Sequence, residues 1–485
     1  MNKVRQDIKK TLSLVKAWVS DSANLFLLIS VPAIMAFLVI IPTSWGLDEQ
    51  MHTARVYQIA DGGMYPDANQ EEKRYGGVVS GNLIDAIHNG WLVSNEAERG
   101  MQFYDQARVD LSNKEHTAQL DNLPIEGEKE YFEFGPTGPY APVLYLPAAV
   151  GMKVAMVADL SVGGAVFLAR FMQAATYVSL VFMALRLLSK YRLQWLFFVI
   201  ALLPASLYQA ATLNADAVTN GFVMLFVAVV LMLCLQRTKM TKFQTWLLAG
   251  SSLALMFTKP SFAIFLVLLW IVPAARFVSK RRRLLLQLAL PILCVAVFAM
   301  ISVKGLSYSA ASYVYFPAAL AEQISLSGQI IYVLQHPIEF IVVFLKTVVM
   351  NSGEWHKSLI GLMGYNRVVT PYPMFLLASV VVLLAVLNVD RFPRKMLWAL
   401  LGVGIISILS IMFLLYGTFN KVGEVVIAGV QGRYFIPCIL VLGVGIGGLL
   451  SRYIKVKVVR PYVVFALPSI VVVYSAVVAY YMAVF

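Results

Sequence analysis

Charge is scarce in this chain: Asp, Glu, Lys and Arg supply 13% of its 485 residues, against 59% that are hydrophobic. Soluble domains carry about a quarter charged residues, so this scarcity, with a mean hydropathy of +0.74, excludes an ordinary soluble fold and fits a chain solvated mainly by lipid. Cysteine is nearly absent. Cys234, Cys294 and Cys438 all lie inside apolar runs, which excludes a disulfide framework and a cysteine metal site. Acid is short as well, 26 residues against 39 basic ones, for a net charge of +13. The basic residues fall mostly between apolar runs, where they set membrane orientation and attract anionic headgroups rather than nucleic acid. No internal repeat is evident.

What the chain has in quantity is apolar length. Segments at roughly 24–44, 164–187, 193–211, 215–235, 244–258, 260–277, 284–303, 372–389, 396–417, 432–450 and 461–483 predict an all-α polytopic integral membrane protein with about eleven transmembrane helices. The first run follows a basic start and carries no small-residue cleavage motif, so it reads as a retained signal anchor. The loops bearing Arg186/Lys190/Arg192, Arg237/Lys239/Lys242, Arg276/Lys280/Arg281/Arg282/Arg283, Arg391/Arg394/Lys395 and Arg452/Lys455/Lys457/Arg460 then share a side with Lys3/Arg5/Lys9/Lys10/Lys16. The positive-inside rule makes that side the cytoplasm, with residues 1–23 a cytoplasmic N-terminus. Parity leaves 45–163 and 304–371 as outer loops. Within them, 141–158 is expected to form a partly buried or surface helix and His336–Met350 a re-entrant or interfacial one. Spans 2–7 occupy 164–303 and spans 8–11 occupy 372–485.

Between Trp45 and Ala141 lie 17 of the 26 acidic residues. This region opens Trp45-Gly46-Leu47-Asp48-Glu49-Gln50-Met51-His52-Thr53-Ala54-Arg55, an acidic pair followed by His and Arg where a span meets water. Asp48 suits a helix N-cap with Gly62 or Gly63 as the stop, which would place Asp48, His52, Arg55 and Ile59 on one face. Capping and chemistry are thus both readings of the pair. Phe134–Pro147, with four prolines, two glycines, Tyr140 and Tyr145, is a rigid segment entering an apolar helix, either an interfacial anchor or a substrate lining. Polar groups gather at the outer span ends: Arg170, Gln209, Asn214, Asp216, Lys259, Gln431, Arg433 and Tyr434. An ionised group costs roughly 2.5–3.5 kcal/mol at a helix centre, so such residues face a partner, a cavity or, near the ends, the headgroups. Arg433, flanked by Gly429 and Gly432, offers a planar fork for phosphate oxygens.

The Asp48-Glu49 entry with His52 and Arg55, the Tyr145-Leu146-Pro147 segment, Leu203-Pro204 with Gln209 and Asn214-Ala215-Asp216, Thr258-Lys259-Pro260, and Gly429-Val430-Gln431-Gly432-Arg433-Tyr434-Phe435-Ile436-Pro437 together resemble the bacterial membrane-protein family catalogued as domain of unknown function 2142. Its layout is in turn similar to the C superfamily of membrane glycosyltransferases. That resemblance implies a polyprenyl-phosphate-linked sugar as donor, a glycan or lipid-linked acceptor in the cell envelope, and a site on the outer face of the bacterial cytoplasmic membrane. It puts the catalytic acid on Asp48 or Glu49, likens Tyr140–Pro147 to a proline-rich interfacial helix and sets Arg170 where an arginine often opens the second span. Beside it, the residues themselves offer Arg433, Lys259, Arg55 and Arg170 for the donor phosphate and His52, Tyr140, Tyr145, Gln209, Asn214, Asp216, Gln431 and Tyr434 as substrate lining. The large acidic first loop departs from compact members of the superfamily.

Such a transfer needs one carboxylate to take the acceptor proton and cations to hold the leaving phosphate. The expectation is an inverting, metal-independent enzyme with no cofactor beyond its lipid-linked donor, although the acidic loop leaves a divalent cation open. The rival readings are a lipid or glycan transporter, which would show repeats and midplane polar groups, and a non-catalytic subunit of an envelope-polysaccharide complex.

Overall fold

The computed structural model describes residues 18, 20–69, 74–95, 118–306, 308, 322–364, 368–454, 456 and 458–484. Lys3, Arg5, Lys9, Lys10 and Lys16, residues 96–117 of the first loop, and Lys455 and Lys457 lie outside the described residues.

Helix α1 (Ser22–Ile40) opens at Asp21, whose carboxylate accepts the Ala23 and Asn24 N–H groups and so satisfies two donors the helix cannot. A turn leads into α2 (Glu49–Ala60). The next segment departs from the all-α expectation. It forms a three-stranded antiparallel sheet in the order β1 (Asp67–Asn69), β2 (Arg74–Ser80), β3 (Lys129–Glu133), with Gly76 opposite both Asp67 and Glu133. Residues 75–80 of β2 are buried except Val78, so the strand is covered along most of its length. Helix α3 (Gly81–Asn95) follows β2 directly. Helix α4 (Leu146–Val157) is the helix expected at 141–158, and it lies flush against α5 (Val162–Leu188): a Cβ on Gly151 would come within 2.5 Å of the Leu168 carbonyl.

Beyond α5 come α6 (Gln194–Ala201) and α7 (Pro204–Ala211), bent 59° from each other where Pro204 removes a donor. Then follow α8 (Asp216–Leu235), α9 (Lys242–Met256), a 3₁₀ helix (Pro260–Ile271) and α10 (Lys280–Gly305). Helices α11 (Leu326–Gln335) and α12 (Pro337–Gly361) meet at 109°, broken at His336–Pro337. A two-stranded ribbon, Leu362–Met363 with Val368–Val369, precedes α13 (Tyr372–Leu387), α14 (Arg394–Phe419), α15 (Gly432–Leu450) and α16 (Pro461–Val484).

All eleven expected segments are helical, but the described residues contain seven helices long and apolar enough to cross a membrane, α1, α5, α8, α10, α14, α15 and α16, or up to nine if each bent pair is one span. Three of the eleven expected segments are shorter than these. Helices α9, Pro260–Ile271 and α13 have 15, 12 and 16 residues. At 1.5 Å per residue for the two α-helices and about 2.0 Å for the 3₁₀ helix, all three fall short of a hydrocarbon core about 30 Å thick. The segment expected at His336–Met350 is part of the α11–α12 elbow, a broken span or re-entrant hairpin. Helix α8 is central: 83% of its apolar window is buried inside the protein, against 28% for α10.

The basic connections cluster by direct bonds. Arg186 pairs with Asp21 at 2.7 Å, the Leu193 N–H donates to Asp390, Arg452 donates to the Phe392 carbonyl and Met240 N–H to the Arg276 carbonyl. Arg170 stands 16 residues before Arg186 on α5, about 24 Å along the helix, so the polar groups around it occupy the other end of the bundle.

Close backbone approach fixes this packing. A Cβ on Gly447 would fall 1.9 Å from the Val386 carbonyl on α13, whereas one on Gly402 would meet nothing within 4 Å. Gly447→Ala is expected to cost about 1–3 kcal/mol by overpacking and Gly402→Ala nothing, as read from thermal unfolding in detergent; equal midpoints would contradict the packing of α15 on α13.

Candidate functional site

The two acidic neighbours that the sequence leaves undivided are separated completely. Glu49 is fully buried and its carboxylate has no lone pair to spare. Arg170 donates to it twice, Nε to Oε1 at 2.7 Å and Nη2 to Oε2 at 2.6 Å. The Leu213 N–H gives Oε1 a further bond at 2.8 Å, and the Gly46 N–H gives Oε2 another at 2.8 Å. Arg170 also donates to the Ile41 and Pro42 carbonyls just past the end of α1, at 2.7 and 2.9 Å. Only glycine fits at position 46, where a Cβ would meet Thr212 at 2.7 Å and the Glu49 carboxylate at 2.9 Å. Glu49 and Arg170 therefore hold structure, and neither faces the pocket: the expectation that Glu49 is a candidate acid and Arg170 a phosphate ligand is corrected by this closed pair.

Asp48 behaves differently. Its backbone is left-handed, with φ of 58°, and its side chain makes no capping bond to α2, so the capping reading fails. The conformation, which Asp tolerates better than most residues, turns the carboxylate away from its own helix. That side chain is 44% exposed, and Oδ2 lies 3.4 Å from Arg433 Nη2.

A polar pocket of about 20 Å³ sits at this point, lined by Leu47, Asp48, His52, Tyr140, Asn214, Ala215, Asp216, Lys259, Arg433 and Tyr434. Five chain segments deliver these groups. Asp216 is the first residue of α8, where the positive end of the helix favours a carboxylate, and Asn214 Oδ1 accepts the Asp216 and Ala217 N–H groups at 2.9 Å each. Lys259, held extended by Pro260, forms an ion pair with Asp216 and lies 4.2 Å from the Tyr434 ring centroid and 5.6 Å from that of Tyr140.

Arg433 is nearly buried, yet it is loosely engaged: besides Asp48 it approaches Asp216 at 3.9 Å, and its Nε has no hydrogen-bond partner among the described residues. Its backbone is pinned. The Arg433 N–H donates to Ser358 Oγ on α12 at 3.3 Å, and a Cβ on Gly432 would stand 1.7 Å from the Trp355 carbonyl, so no residue but glycine permits this approach.

His52 faces Asp48 from the next turn of α2, and its Nδ1 shares a 2.8 Å hydrogen bond with the hydroxyl of fully buried Tyr145. Burial lowers the His52 pKa to about 4, against the opposing pull of Asp48 and Asp216. The ring is neutral at pH 7. With it neutral, two carboxylates and two cations balance.

Other expected residues fall outside the pocket lining. Arg55 is fully buried elsewhere, donating to the Met64 carbonyl at 2.5 Å and to Gln58, with its pKa lowered by burial to about 10, so it braces the return after α2 rather than binding a phosphate. Gln209 lies beneath Asn214, its carbonyl accepting from Asn214 Nδ2 at 2.7 Å and its Oε1 from Asn220 at 3.0 Å. Gln431 adjoins Gly432 but does not line the pocket. Leu47, Ala215 and the supporting Ser358 and Trp355 were not foreseen; for the last two the only signal was the crowded Gly432. Among the described residues no three of His, Cys, Asp or Glu converge as a metal cage.

Residues 33–442 match the family model described as a predicted membrane protein (DUF2142). No curated protein and no solved structure matches the chain.

Breaking a buried pair strands a charge, so Glu49→Gln and Arg170→Gln are each expected to cost about 3–5 kcal/mol, while Asp48→Asn, at a partly exposed carboxylate, costs under about 1 kcal/mol. Thermal unfolding in detergent reads the ranking, and a reversed order would sink the division of roles. For His52, the unfolded chain takes up a proton near pH 6.5 and the folded one only near 4. The unfolded state thus binds more protons in that window, and stability falls as pH drops from 6.5 to 4. His52→Gln should remove this component of the slope, measured as the difference in unfolding midpoint between the two proteins at pH 7 and pH 5.

Proposed function

The chain belongs to the DUF2142 family of predicted membrane proteins, and we propose that it is a membrane glycosyltransferase that moves a sugar from a polyprenyl-phosphate donor to an envelope glycan or lipid-linked acceptor. The observation that carries this reading is the pairing across one pocket of a partly exposed carboxylate, Asp48, with a nearly buried guanidinium, Arg433, whose Nε donor is unused. A carboxylate held open to solvent is placed to accept a proton, and a cation with a free donor is placed to receive an oxyanion.

In the proposed reaction the acceptor hydroxyl attacks the anomeric carbon, the bond from that carbon to the phosphate oxygen breaks, and Asp48 takes the hydroxyl proton. Arg433 and Lys259 stabilise the charge that grows on the departing phosphate. His52, uncharged, adds a polar wall without competing for the anion, and Asp216 keeps Lys259 protonated and aimed. About 20 Å³ admits a water but not a sugar. Donor binding therefore requires Tyr140 or Tyr434 to move off Lys259. The basic connections at the far end support a cytoplasmic reading of that end by the positive-inside rule, and on that reading the reaction takes place at the outer face of a bacterial cytoplasmic membrane. A prenyl tail then stays in hydrocarbon while its sugar reaches the loop of α2–α4.

Transfer of radiolabelled sugar from a panel of polyprenyl-phosphate sugars to envelope acceptors tests the reading. Asp48→Asn is expected to lower transfer by about 10²–10⁴, the usual contribution of a general base, with folding retained. Arg433→Ala should do the same. No transfer from any donor, together with a normal envelope in cells carrying either variant, would overturn the enzyme reading in favour of transport or a non-catalytic role in polysaccharide assembly.

A further inference from the structure

At the end of the bundle away from this site, the connections after α5, α13 and α15 enclose a crevice of about 550 Å³. Its walls are of two kinds. Leu387, Val389, Ile454, Val456 and Val458 are apolar, whereas Arg192, Arg391, Asp390 and Ser451 are polar. Arg192 is fixed in place: Nε and Nη2 donate to Asn388 Oδ1 at 3.1 and 2.7 Å, and Nη2 also donates to the Val456 carbonyl at 3.0 Å. Asp390 is held by the Leu193 N–H at 2.9 Å, so it stands as an acceptor beside the arginines without forming a closed ion pair with either. Arg391 is exposed and has no hydrogen bond or ion pair among the described residues. On the rim, Tyr453 is 80% and Ile454 47% exposed, an aromatic and aliphatic lip of the kind that sits at a headgroup layer.

We propose that this crevice binds the headgroup of a membrane phospholipid, its phosphate between Arg192 and Arg391 and its first acyl carbons on Ile454, Val456 and Val458. Basic pockets between span ends recognise phosphate esters in this way, because the open guanidinium of Arg391 and the remaining Nη1 donors of Arg192 match phosphate oxygens and the apolar wall replaces water around the chains. Asp390 and Ser451 accept hydrogen bonds from a hydroxyl-bearing headgroup such as glycerol and have no donor to accept from choline. A soluble phosphate shares the anion chemistry but leaves the apolar wall unused.

The full chain, stripped of lipid in detergent, is titrated with phosphatidylglycerol, phosphatidylcholine or inorganic phosphate, and occupancy is read by native mass spectrometry. Phosphatidylglycerol should occupy one site in preference to phosphatidylcholine. Arg391→Gln, at an exposed residue whose loss leaves the fold intact, should weaken that binding about fivefold, and Arg281→Gln on another basic connection should not. Equal binding by the Arg391 variant and the native chain, or no preference over phosphatidylcholine, would overturn the site. Displacement of the lipid by millimolar inorganic phosphate would overturn the lipid as the source and leave a free-anion site.

Discussion

The Glu49–Arg170 ion pair is the constraint on which the polar end of the bundle depends. One carboxylate and one guanidinium, both out of water, tie together the end of α1, the turn before α2, the first part of α5 and the connection between α7 and α8. Desolvating two charges is expensive, and the expense is offset only where every donor and acceptor is matched. Here each carboxylate oxygen accepts two bonds. The pocket sits one residue away from this clamp, so Asp48 inherits a fixed position without spending its own hydrogen bonds on holding it.

That arrangement explains a division of labour between adjacent residues of the same charge. Glu49 has the longer side chain and points into the protein, where four donors wait. Asp48 follows a left-handed backbone and points across to Arg433. Around it the charges alternate, Asp48 to Arg433 to Asp216 to Lys259, so no group is left strongly uncompensated, and the Arg433 contacts are long enough for a ligand oxygen to replace them. Electrical balance with loose contacts distinguishes this cluster from the tight clamp behind it.

Much of this was legible in the sequence and some was not, for identifiable reasons. Apolar length marks all seven helices long enough to span but only the first part of α12, and the sidedness of Arg and Lys sets the polar motifs at one end, so Asp48, His52, Tyr140, Asn214, Asp216, Lys259, Arg433 and Tyr434 stand out in the sequence. Three of the expected spans, 244–258, 260–277 and 372–389, form helices of only 15, 12 and 16 residues, because where a helix starts and stops is set by caps and prolines that hydropathy does not register. The sheet of β1–β3 was missed because strands of three to seven residues inside an acidic loop give too little alternation to recognise. Asp48 and Glu49 were inseparable since helical spacing assumes right-handed backbone, which Asp48 does not adopt. Arg55, on the expected face of α2, turned to the Met64 carbonyl instead, a choice set by a loop distant from any motif.

The contact of Gly432 with the Trp355 carbonyl carries a mechanical consequence. Side chains absorb small displacements by changing rotamer, but two backbones touching with nothing between them cannot. Helix α12 and the residue before Arg433 therefore behave as engaged gear teeth: α12 cannot slide along its axis without carrying the Arg433 backbone with it. Since α12 meets α11 at a sharp elbow and presents Ile338, Ile341, Leu345 and Val349 outward, the helix that holds Arg433 in register is also one with an apolar face open to its surroundings.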